Sequence, residues 1–160
     1  MRRTCWGAVL TAIAMALGDA SSFGSDGAAD GSNRKTPKAC GDDSLRGAYG
    51  IQMQGTRPSG PPPAPMESVI GVVLRNYDGR GGFVQYDNIK GSITGIPDEP
   101  REGFGTYVVN TDCTGETTFD PGNGVLIVER LMIVAEGREV LSIVATPLPV
   151  MVSTVQRKVH

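Results

Sequence analysis

The sequence predicts an all-β fold, an antiparallel up-and-down barrel of about eight strands, with a two-sheet β-sandwich as the alternative. Three observations predict it. Extended, apolar-rich segments recur between clusters of Gly, Pro, Asn and Asp. Glycines and β-branched residues are spread along the chain, and β-branched side chains lose less on a pleated surface than in a helix. After residue 20 no window of a dozen residues carries a clean 3.6-residue apolar stripe. Strands joined in order remove their open edges by closing on themselves. A barrel of that size either fills its interior with side chains or holds one small ligand.

The first 20 residues read as a cleaved secretory signal. Arg2 and Arg3 give a basic start, residues 6–17 an apolar run, and Gly18-Asp19-Ala20 a small-residue cleavage site. The run is short for a span, which needs about 20 residues, and no transmembrane segment is expected in the mature chain. The localisation expected is therefore secreted or periplasmic. Residues 21–43 have almost no apolar side chains and read as a flexible leader. The barrel domain is expected over residues 44–160. Cutting after Ala20 removes Arg2, Arg3 and Asp19 from 15 basic and 17 acidic residues and moves the formal charge from -2 to -3. No basic cluster of the kind that binds nucleic acid is present in that balance.

The strands follow in order. Residues 45–56 place Leu45, Tyr49, Ile51 and Met53 mainly on one face and end in Pro-rich residues 57–65. Residues 66–77 close on Asp78-Gly79, and residues 82–93 run into the acidic, proline-bearing loop at 95–103. Residues 104–111 make a fourth strand and residues 117–119 a short fifth, followed by a turn at 120–124. Residues 125–134, 139–146 and 150–159 complete the set.

Two cysteines remain after cleavage, Cys40 and Cys113, and in an oxidising compartment they most simply form one disulfide. Closing a loop of about 73 residues stabilises by roughly 4 kcal/mol less any strain. No metal site and no cofactor are expected, since the single histidine, His160, is the last residue. A Ser-His-Asp or Cys-His arrangement is unavailable unless that residue folds back. Residues 78–82 read as a hairpin rather than a phosphate loop, because Gly82 leads into a strand and not into Gly-Lys-Ser/Thr and a helix. Residues 110–116 read as an Asx-type turn.

The run LRGAYGIQMQG, the turn NYDGRGGF and the segment GTYVVNTDCTGETTF resemble a secreted bacterial group of lipocalin-like, or calycin-like, barrels of unassigned activity. What the resemblance implies is the barrel architecture over residues 45–159. The residues themselves offer Tyr49, Arg75, Tyr86, Tyr107, Glu129 and Arg130 as ligand-binding candidates, polar or aromatic groups set on apolar strands. Glu129 and Arg130 are strand neighbours, so a regular strand turns at least one outward. Carboxylates at Glu67, Glu129 or Glu139 would do acid–base work only if two faced each other inside.

Two functional classes follow. One is a non-catalytic barrel that binds a small hydrophobic molecule or serves as an interaction module. The other is a barrel-pocket isomerase or cyclase resembling allene oxide cyclase, supported by fold analogy alone. The last three strands carry apolar residues on both faces, so one face needs a cover. Either the Pro-rich segment at 58–65 lies across it, or strands six to eight meet their equivalents in a homo-oligomer.

Overall fold

The computed structural model describes residues 39–122 and 124–160. The predicted signal peptide and most of the leader lie outside the described residues. The strands are β1 (Arg46–Pro58), β2 (Met66–Asp78), β3 (Gly82–Gly91), β4 (Arg101–Val109), β5 (Thr114–Asp120), β6 (Ile127–Val134), β7 (Glu139–Thr146) and β8 (Met151–Lys158). Each pairs antiparallel with the next, and β8 returns to β1, giving a closed barrel.

An up-and-down barrel puts alternate connections at opposite ends. The β1–β2, β3–β4, β5–β6 and β7–β8 loops share one end, here the open end. The β2–β3, β4–β5 and β6–β7 turns and the N-terminal entry share the other, the closed end. There a 3-10 turn, Asp42–Ser44, precedes the fully buried Leu45. Tyr107 donates its hydroxyl towards the Asp42 and Leu45 carbonyls at 3.0 and 2.9 Å, and Asp42 Oδ1 accepts the Val109 N–H at 2.8 Å. The Cys40–Cys113 disulfide fastens the same entry to the β4–β5 turn. Cys40 to Asp43, read from sequence as the last part of the leader, are thus bound into the closed end.

Alternation sets the core. Tyr49, Tyr77, Phe83, Tyr107, Phe119, Leu131, Ile133 and Val140 point inward and pack as one cluster towards the closed end. Tyr77 meets Tyr49 and Tyr107 edge-on, with centroids 5.3 and 5.1 Å apart, a preferred geometry for aromatic pairs. Glycines make room for these rings. A Cβ on Gly103 would lie 2.2 Å from the Phe119 ring, and one on Gly105 would lie 2.5 Å from the Phe83 ring. A smaller cluster of Val69, Ile89 and Val152, with Met53, Val144 and Val150 against it, fills the open end.

The apolar faces of β6 to β8 divide as the alternation requires. Leu131, Ile133, Val140 and Val152 are buried, while Met132, Leu141, Ile143, Met151 and Val155 are exposed. The Pro-rich loop does not cover that wall: Pro61, Pro62, Pro63 and Pro65 are themselves exposed at the open end.

Candidate functional site

Between the two apolar clusters lies a buried polar layer. Its centre is Arg75 on β2, only 3% exposed. The guanidinium donates to Glu129 Oε2 at 3.0 Å, to Gln85 Oε1 at 2.8 Å and to the Tyr77 hydroxyl at 3.2 Å. It also sits 4.3 Å from the Phe83 ring centroid, within cation–π range. Thr117 donates to the same Glu129 oxygen at 3.0 Å, and Tyr77 donates to Gln156 Oε1 at 2.8 Å. Ser142 and Thr154 bond to each other at 2.7 Å. Among the described residues, Gln156 Nε2 is the buried side-chain atom left without a protein partner.

Burial, the largest influence, lowers the Arg75 pKa, but the Glu129 carboxylate and the Tyr77 hydroxyl together outweigh it and the net direction is upward. Burial raises the Tyr77 pKa, and nearby Arg75 offsets only part of that rise. Tyr49 is pushed up to about 12, first by burial and then by Tyr77 and Tyr107. These groups hold a charge in place and shape the interior; they do not form a facing carboxylate pair. The remaining inward carboxylates stand nearer the open end, each on an arginine: Glu67 with Arg57 at 3.0 Å, and Asp87 with Arg101 at 2.7 Å. Glu67 also accepts the Thr94 and Ile93 N–H groups at 3.0 and 3.1 Å, so it ties down the β3–β4 loop. Those bonds, the Thr94 N–H foremost, lower its pKa from 4.5 to about 2.

Of the six sequence-derived candidates, Tyr49, Arg75, Tyr107 and Glu129 face inward, and Arg75 and Glu129 meet. Tyr49 and Tyr107 belong to the closed end, where the Tyr49 hydroxyl donates to the Gly137 carbonyl. Tyr86 lies outside and donates to Glu102 at 2.9 Å, and Arg130 is exposed on the outer wall. Tyr77, Gln85, Thr117 and Gln156 share the buried polar layer but stand outside those six candidates. The signal available was parity: Tyr77 lies two residues from Arg75 and Thr117 two from Phe119, on the same faces.

The two ends of the barrel differ in kind. Leu148 in the β7–β8 loop is 88% exposed and Met151 beside it 72%. Ile93 and Ile96 in the β3–β4 loop, and Val125 and Leu126 in the β5–β6 loop, are also exposed. Every open-end loop contains proline: Pro61 to Pro63 and Pro65, Pro97 and Pro100, Pro121, and Pro147 and Pro149. The closed-end turns, at 79–81, 110–113 and 135–138, contain neither proline nor a large apolar side chain. Two grooves of about 310 and 460 Å³ lie on the outer wall, one beside Gly50, Val72 and Val155, the other between Val108 and Met132.

No family model matches the chain, and no curated protein matches it. Among solved structures it is similar to the crystal structure of Rv2717c from M. tuberculosis, at 13% identity over 73% of this chain and 94% of that one, with a TM-score of 0.37. A likeness at that level carries no argument about function.

Proposed function

We propose that the protein is an exported, non-catalytic binding module whose interior is a packed support and whose binding face is the apolar rim at the open end. The observation that carries this reading is the asymmetry of the ends. Exposed large apolar side chains sit on three of the four open-end loops, and prolines fix backbone torsions on all four. A surface held in advance loses less entropy on binding. Inside, Glu129, Glu67 and Asp87 are each held by an arginine, which favours binding over the isomerase or cyclase reading. Export is supported by the disulfide, a bond that persists in oxidising compartments. The lipocalin-like resemblance contributes architecture to this reading and no ligand.

A neutral apolar fluorescent dye such as Nile red tests it. The full chain is expected to enhance dye emission, and Ile96→Ser with Leu148→Ser to abolish most of the enhancement at unchanged thermal stability. Undiminished emission from that variant would overturn the rim as the binding face.

A second observation supports a homo-oligomer through β6 to β8. The register sets Met132 beside Leu141, and Leu141 beside Val155, as an exposed ridge across all three strands. A self-complementary contact there is expected to show by light scattering as a dimer or trimer that Met132→Asp disperses. A strictly monomeric mass at high micromolar concentration would remove it.

A further inference from the structure

Resting on the rim as the binding face, we infer the chemistry of what it takes: an apolar peptide segment of a partner protein that also carries lysine or arginine. The rim is charged on one side only. The four open-end loops hold two charged residues, Asp98 and Glu99, and no base. Both carboxylates are exposed, adjoin Ile96 in the β3–β4 loop, and form no ion pair among the described residues. Glu102 on β4 and Asp120 on β5 extend the acidic arc at the strand ends. The nearby arginines do not neutralise it, because Arg57 and Arg101 are committed to Glu67 and Asp87. Lys90, on the outer wall of β3, is the remaining cation there among the described residues.

This combination discriminates between occupants. A second copy set rim to rim would bring two acidic arcs together, and like charges across an interface are unfavourable. An anionic lipid surface attracts basic segments and repels this one. A segment alternating apolar and cationic side chains satisfies both features, placing its apolar groups on Ile96, Leu126 and Leu148 and its charges beside Asp98 and Glu99. The prolines keep that face in place before the partner arrives.

Fluorescence anisotropy with the full chain tests the inference, using a labelled ten-residue Leu-Lys peptide, its Leu-Glu counterpart, and phosphatidylglycerol vesicles. The Leu-Lys peptide is expected to bind, with affinity falling as salt rises. Asp98→Asn with Glu99→Gln should weaken it about fivefold, whereas Glu136→Gln at the closed end should leave it unchanged. Ile96→Ser with Leu148→Ser should abolish it. Equal binding of the Leu-Glu peptide, lost in the apolar-rim variant, would overturn the partner's charge and leave the rim standing. Binding insensitive to both rim variants would overturn the rim as well. Preference for the vesicles would make the face a membrane contact and overturn the peptide.

Discussion

Arg75 is held from several directions at once, by Glu129, Gln85, Tyr77 and the face of Phe83. A buried ion pair of this kind contributes little net stability compared with an apolar pair of the same shape, yet breaking one side leaves an uncompensated charge. Glu129→Gln is therefore expected to lower unfolding stability by about 3 kcal/mol or more, and Arg75→Met with Glu129→Leu to recover most of the loss. Urea unfolding of the three proteins checks this; a double variant as unstable as the single would contradict it. Glu67 supplies the pH dependence. Its pKa falls from 4.5 to about 2 on folding, so between those values the unfolded chain binds more protons than the folded one. Its contribution is present above about pH 4.5 and is lost as pH drops towards 2. Asp78 and Asp112, lowered by backbone and threonine partners in their turns, act in the same direction. Glu67→Gln should flatten the acid limb of a stability–pH curve without removing it, and an unchanged limb would show that the Thr94 and Arg57 contacts do not form.

At the scale of the element, strand order and number were legible because turn residues interrupt the apolar segments at regular intervals. β2 and β7 fall within a residue of their expected bounds. β5 begins at Thr114, three residues before its expected start, because Gly115 continues the ladder rather than bending it. A Cβ there would lie 2.4 Å from the Val108 carbonyl oxygen, so the glycine answers to close strand approach, which looks like a turn signal in sequence. Which face points inward was not legible on β6 to β8, where both faces are apolar. Arg75 and Glu129 stood out as polar residues on apolar strands, whereas Gln85, Thr117 and Gln156 read as ordinary strand polarity until parity placed them inside. The glycines also give a graded test. On Gly105 a Cβ would lie 2.2 Å from the Thr118 carbonyl oxygen and 2.5 Å from the Phe83 ring, but on Gly71 it meets Met53 and Ile89 side-chain atoms at 2.9 and 3.0 Å. Backbone and ring cannot yield as a methionine can. Gly105→Ala should cost about 1–3 kcal/mol and Gly71→Ala less, as read from thermal melts; the reverse order would contradict the packing.

At the scale of the whole molecule, the barrel is fastened at one end and presents its apolar loops at the other. The disulfide spans a sequence separation of 73, and its removal in Cys40→Ser with Cys113→Ser should lower stability by about 4 kcal/mol. Because the bond holds the closed end, rim binding should survive that loss at temperatures where the variant remains folded; loss of both together would mean that the ends are not independent. The separation of a filled interior from a binding rim is tested most directly by two-dimensional NMR of the full chain titrated with the Leu-Lys peptide. The prediction is that amide signals shift at Ile96, Leu126 and Leu148, while the Arg75 Nε–H signal and the amides of Gly79, Cys113 and Gly137 stay in place. Shifts centred on Arg75, or on the closed-end turns, with the rim signals unmoved, would contradict it.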